Sequence, residues 1–120
     1  MYKSTDGGVT WTQLGGGLPT GVLGWTGLAI SKQNPDKVYA AFMDSLSTPE
    51  GLYKTLDGGT TWTPVNVVAL EDACGDFGWY FSKIRLNPTN DEDIYFLAII
   101  LAQGPEYGLA IGGQFTCRLP

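Results

Sequence analysis

The sequence predicts an all-β chain built from a repeated unit of short antiparallel strands. Three observations carry this. Glycine is abundant, 17 of 120 residues, and aromatic residues reach 12%, a profile suited to twisted strands joined by tight turns, where glycine supplies the positive φ that hairpins demand. No stretch keeps apolar residues at i, i+3, i+4 and i+7 for three turns, so helix is expected nowhere except one turn around residues 69–73. Finally, Tyr2-Lys3-Ser4-Thr5-Asp6-Gly7-Gly8-Val9-Thr10-Trp11-Thr12 recurs as Tyr53-Lys54-Thr55-Leu56-Asp57-Gly58-Gly59-Thr60-Thr61-Trp62-Thr63, at a constant offset of 51 and with eight of eleven positions identical.

A second pair of matching segments follows. Leu28-Ala29-Ile30-Ser31 and Asn34-Pro35-Asp36-Lys37-Val38-Tyr39 recur 56 residues later as Ile84-Arg85-Leu86-Asn87 and Asn90-Asp91-Glu92-Asp93-Ile94-Tyr95. Gly24-Trp25 has a smaller echo in Gly78-Trp79. A period of this size lies near the one-blade spacing of β-propellers and well above that of ankyrin or leucine-rich repeats.

In chain order, residues 1–25 supply strands three and four of a preceding blade plus a linker. Residues 26–65 form a complete blade. Its first strand, 26–31, alternates toward Leu28 and Ile30, and Gln33-Asn34-Pro35-Asp36 turns the chain, proline pre-setting φ. Residues 37–42 are the second strand, 44–50 a polar loop, 51–55 the third strand and 61–65 the fourth, after the Asp57-Gly58-Gly59 turn. Residues 66–101 hold an inserted loop and strands one and two of the next blade, and 102–120 form a divergent tail. Eight strands make about two blade equivalents, too few for a ring of four to eight blades. The chain is then a segment of a larger propeller, or several copies assemble, or the terminal halves join into one composite blade; the segment reading is preferred.

Composition excludes several functions. With 43% hydrophobic residues the chain can build a core. It has no histidine, which excludes a Ser-His-Asp triad, a Cys-His dyad and any His-ligated metal made by this chain alone. A net charge of −5 has the wrong sign for a nucleic-acid groove. The longest apolar run, residues 94–102, is less than half of the roughly 20 residues a membrane-spanning helix needs, and the N-terminus has no apolar signal region. No cofactor and no metal is expected.

The segments Ser4 to Trp11 and Thr55 to Trp62 resemble the Asp-box, or bacterial neuraminidase (BNR) repeat, of pattern S/T-x-D-x-G-x-T-W. Its logic is local. The short carboxylates of Asp6 and Asp57 can accept bonds from turn amides, Gly8 and Gly59 take angles a Cβ would forbid, Thr10 and Thr61 tie the turn back on itself, and Trp11 and Trp62 cover apolar surface. Ser4 and Thr55 open the two copies. Gly27-Leu28-Ala29-Ile30-Ser31, Asn34-Pro35-Asp36-Lys37-Val38-Tyr39-Ala40 and Gly51-Leu52-Tyr53-Lys54 are similar to the sortilin type of propeller and to bacterial BNR proteins labelled glycosyl hydrolase-like. Phe77-Gly78-Trp79-Tyr80-Phe81 is similar to the aromatic strand opening a blade there. The resemblance covers about residues 2–100 and implies an extracytoplasmic or secreted parent, in which the Asp-box is a structural hairpin remote from any catalytic centre. Gly108-Leu109 falls where a further third strand is expected, yet no third Asp-box follows.

Asp6 and Asp57 are accordingly read as structural rather than catalytic. Glu71, Asp72 and Asp76, in the inserted loop, are the better acid/base candidates, against the simpler reading of a solvated acidic loop. Asp91-Glu92-Asp93 reads as a polar turn. Trp25, Trp79 and Tyr80, with Phe77 and Phe81, form either a sugar-stacking platform or packing between blades. Cys74 and Cys117 are read as free thiols in preference to a disulfide. A sialidase site needs three arginines, and this chain has only Arg85 and Arg118. The expected function is a non-catalytic scaffold or a protein- or glycan-binding surface, contacting partners through residues 44–50 and 65–80. The alternative is a fragment of a propeller glycoside hydrolase, xyloglucanase-like or sialidase-like, whose site needs further blades. Expected partners are the remaining blades or a second copy, and a glycan or protein ligand.

Overall fold

The computed structural model describes residues 1–65, 83–97 and 114–118. Among these residues nine strands run in chain order: β1 (Tyr2–Lys3), β2 (Thr12–Gln13), β3 (Leu23–Ile30), β4 (Val38–Asp44), β5 (Pro49–Thr55), β6 (Thr63–Val65), β7 (Lys83–Leu86), β8 (Asp93–Leu97) and β9 (Gln114–Arg118). Among the described residues there is no helix, and so none long and apolar enough to cross a membrane. The expected turn of helix at 69–73 lies outside them.

Every pairing is antiparallel. The strands form a two-stranded sheet β1-β2, a four-stranded meander β3-β4-β5-β6 and a three-stranded sheet β7-β8-β9. The chain is therefore all-β, with the four-stranded unit where the sequence places it, although β3 begins at Leu23 rather than 26. The third strand of the last sheet is a departure from the expected count of eight. It lies at Gln114–Arg118, within the divergent tail, and pairs with β8 (Asp93↔Arg118) without an Asp-Gly-Gly turn to announce it.

The middle sheet is buried on both faces along β4, whose residues alternate with period two. Tyr39, Ala41 and Met43 point to a core shared with Ala29, Leu52, Ile84, Ile94 and Phe96, which joins the middle sheet to the last. Ala40 and Phe42 point the other way, to a cluster with Trp62 against which Leu14, Leu18 and Tyr53 pack. Phe42 meets Tyr53 edge to face, with centroids 5.6 Å apart.

The phase of β3 is opposite to expectation. Ala29 is buried, while Leu28 and Ile30 are exposed. The register Leu28↔Ala40 and Ile30↔Val38 puts them on the Trp62 face, whose apolar cluster reaches β3 only at Leu23. They line instead a cleft of about 210 Å³ shared with Ile84 and Leu86 of β7.

Candidate functional site

Both Asp-Gly-Gly turns close on themselves in the same way. In the first, Ser4 Oγ donates to Asp6 Oδ1 (2.8 Å) and accepts from the Gly8 N–H (2.7 Å). Thr10 donates twice to the same carboxylate, through its N–H to Oδ1 (2.9 Å) and its hydroxyl to Oδ2 (2.6 Å). The Trp11 indole N–H donates to the Gly8 carbonyl (3.0 Å). In the second, Thr55 donates to Asp57 Oδ1 (2.7 Å) and accepts from Gly59 N–H (3.0 Å), Thr61 donates through N–H (2.9 Å) and hydroxyl (2.6 Å), and the Trp62 indole donates to Gly59 O (3.1 Å). Gly8 and Gly59 sit at φ +94° and +97°, in the region that favours glycine.

These bonds fix the chemistry of the two aspartates. Hydrogen bonds to the ionised form favour it. The Thr10 hydroxyl, then its amide, then Ser4 hold Asp6 down at about 2, and Thr61 and Thr55 hold Asp57 well below the usual carboxylate range in the same way. A general acid or base must exchange a proton near the working pH, and neither group does. In both copies the aspartate accepts the amide and hydroxyl of the threonine four residues on, and the second glycine takes a positive φ. The hydroxyl bridge of Ser4 and Thr55 and the indole bond were not foreseen, although the residue types carry them.

The two tryptophans part company. Trp62 is 4% exposed, under Leu14 and Leu18, and its backbone N–H donates to Gly16 O (2.6 Å). Gly16 is indispensable to this approach: a Cβ there would lie 2.2 Å from the Thr60 carbonyl oxygen. Trp11 is 62% exposed, so the apolar cover expected of both rings holds for one.

A charged cluster that the sequence did not signal links the middle and last sheets. Lys37, only 5% exposed, pairs with Asp91 (2.7 Å) and with Glu92. Ser31 Oγ donates to the other Asp91 oxygen (2.5 Å), and the Tyr39 hydroxyl points at Glu92 (3.4 Å). Burial alone would lower the pKa of Lys37, but the two carboxylates outweigh it and leave it raised. The Lys37 bond holds Asp91 and Glu92 below their usual values, and burial pushes Tyr39 up to about 12. Asp91 and Glu92 form a turn, as expected, while Asp93 already opens β8, and the two turn carboxylates work between sheets.

Residues 44–50 form an ordered tip. Asp44 Oδ1 accepts the N–H groups of Leu46 and Thr48 (2.8 Å each), Asp44 N–H donates to Thr48 O, and Ser47 adopts φ +72°. Leu46 stands 81% exposed on this tip, and the pairing Leu23↔Asp44 brings Val22, 80% exposed, to the same end. Trp25, on β3, is half exposed.

Compared with known proteins, the chain matches no family model, no curated relative and no solved structure. Its two internal copies therefore serve as each other's reference. The acid candidates Glu71, Asp72 and Asp76, the aromatics Trp79 and Tyr80, and Cys74 lie outside the described residues, and Cys117 falls on β9.

Proposed function

We propose that the chain is a non-catalytic segment of a β-propeller-like repeat scaffold, its Asp-Gly-Gly turns being Asp-box hairpins that join strands, and its contact surface the opposite end formed by the 44–50 tip and the start of β3. One observation carries the non-catalytic part. Both repeat aspartates spend their lone pairs on their own turns and stay ionised well below neutral pH. The contact part is supported by the braced Asp44 tip, which offers Leu46 beside Val22 without an entropic cost of ordering at binding. Two aliphatic side chains and one half-exposed indole suit a protein partner better than a sugar, which is gripped by aromatic faces.

The test pairs binding and hydrolysis on defined glycans, xyloglucan oligosaccharides and sialyllactose. The expected outcome is no turnover of either, with Asp6→Asn and Asp57→Asn lowering the melting temperature. Turnover that disappears in Glu71→Gln or Asp72→Asn, with the fold retained, would overturn the proposal in favour of a glycoside hydrolase fragment.

A further inference from the structure

The second Asp-Gly-Gly turn is held by four contacts from outside its own hairpin. Trp62 N–H donates to Gly16 O (2.6 Å), Gly58 N–H donates to Asp36 O (2.9 Å), Lys3 Nζ donates to Gly58 O (2.5 Å), and Leu14 and Leu18 pack in the cluster of the Trp62 ring. The strand leading into that turn, β5, pairs with β4 along its other edge (Val38↔Thr55, Ala40↔Tyr53). Each contact has a counterpart position on the first turn, 51 residues earlier. Among the described residues, the Trp11 backbone N–H, the Gly7 N–H and the Gly7 carbonyl there meet no partner and β1 pairs on one edge only, while Tyr2, Val9 and Trp11 are exposed.

Five absences at one place share one remedy. From this juxtaposition we infer that the Trp11 face and the free edge of β1 form a docking surface for a further repeat unit of the chain's own kind, joined ahead of Tyr2 as residues 2–52 are joined ahead of Tyr53. The inference deepens the scaffold reading above and rests on it. The occupant is chemically specified by the filled copy. It brings a leucine three positions past its own tryptophan, a glycine pair whose backbone can approach the turn as Gly16 and Gly17 do, a lysine to reach the Gly7 carbonyl, and a strand to extend β1. A second molecule of this chain is a poorer occupant, because its own 14–18 segment already lies over its own Trp62.

The experiment repeats residues 2–52 once ahead of Tyr2 in the full chain and labels tryptophan with fluorine for NMR, the original Trp11 being assigned through Trp11→Phe. In the 120-residue chain the Trp11 signal should show the solvent-isotope shift of an exposed ring. In the extended chain that shift should fall to the level of Trp62, and Leu14→Ser together with Gly16→Val in the added unit should restore it. Three results overturn the inference: an extended chain that folds with Trp11 still exposed, an extended chain that fails to fold where the shorter one folds, or a shorter chain that self-associates with Trp11 protected, which would make a second copy the occupant. None of these depends on glycan turnover, so failure here is distinguishable from failure of the scaffold reading.

Discussion

The turn at residues 4–11 and the turn at residues 55–62 differ in their surroundings and hardly at all in themselves. Equivalent hydrogen bonds agree within a few tenths of an ångström, yet one tryptophan is buried and the other stands in water. The lesson concerns which link of the chain of causes does what. Asp, Gly, Thr and Ser at fixed spacing make the turn, because every donor and acceptor is within four residues. Burial of the indole is not made by the motif. It comes from Ala40 and Phe42 of β4 and from the 14–18 segment, where Leu14 and Leu18 join the same cluster and the Gly16 carbonyl accepts the Trp62 N–H.

The largest test of that division is a matched pair of truncations. Trp62→Ala should cost about 3–5 kcal/mol in urea unfolding, the range for a large buried ring, whereas Trp11→Ala should stay within about 0.5 kcal/mol as an exposed substitution does. Equal losses would mean that the ring acts through the turn itself, and the contrast between the copies would collapse.

The same contrast appears one turn further along. Residues 34–37 and 90–93 have the same backbone bonds: Lys37 N–H donates to Asn34 O and Asp93 N–H to Asn90 O, each at 3.0 Å. What differs is the side chain, and Lys37 reaches across to Asp91 and Glu92 in the other turn. Lys37→Met keeps the aliphatic stem but leaves the mostly buried Asp91 carboxylate without its cation. Breaking a buried pair costs about 3–5 kcal/mol, and the half-exposed Glu92 brings the expectation down to about 2–3 kcal/mol. Adding Asp91→Asn and Glu92→Gln should recover part of the loss. If Lys37→Met were neutral, the two sheets would be held by the apolar core of Ala41, Ile84 and Ile94 alone. Lys37 and Tyr39 both have raised pKa values, so their contribution is complete below their unfolded values near 10 and is lost as pH rises through the folded ones.

How much of this was legible in the sequence follows from the range of each interaction. The four strands of the middle sheet and both Asp-Gly-Gly turns could be read directly, because a strand alternates every two residues and the turn chemistry spans four. The phase of β3 could not. Whether Leu28 or Ala29 faces the core depends on which face of the sheet its neighbours cover, and that is decided by Ile84, Ile94 and Phe96, far away in sequence, which cover the Ala29 face. Lys37 and Asp91 are 54 positions apart and carry no periodic signal. Strand β9 lacks the Lys-Ser/Thr-x-Asp pattern carried at the ends of β1 and β5. Trp11 and Trp62 are the sharpest case, since identical motifs end in opposite environments.

A glycine that faces the second turn and one inside the first give an effect of the same kind. Gly16→Ala places a methyl against the Thr60 carbonyl at φ +52°, so conformational strain of about 1–2 kcal/mol and steric displacement of about 1–3 kcal/mol add. Gly7→Ala meets nothing within 4 Å at φ +72° and should show the strain alone, about 1–2 kcal/mol. Thermal unfolding of the two variants separates the neighbour's contribution from the turn's own.

The smallest effect is the one that should be the same in both copies. Asp6 and Asp57 bind their protons less tightly folded than unfolded, so the unfolded chain takes up protons first as the pH falls. Their contribution is therefore fully present above the unfolded value of 3.8 and is lost progressively as the pH drops through the folded values, about 2 for Asp6 and lower for Asp57. Carboxyl-carbon NMR titration of the two side chains should find both midpoints below 3.8, although Trp62 is buried beside one and Trp11 is exposed beside the other. Asp57→Asn and Asp6→Asn should each flatten the pH dependence of stability between pH 4 and 2. A normal midpoint for Asp6 with a depressed one for Asp57 would show that the turn needs its neighbours to form, and the claim that its hydrogen bonds are self-sufficient would fail at the exposed copy.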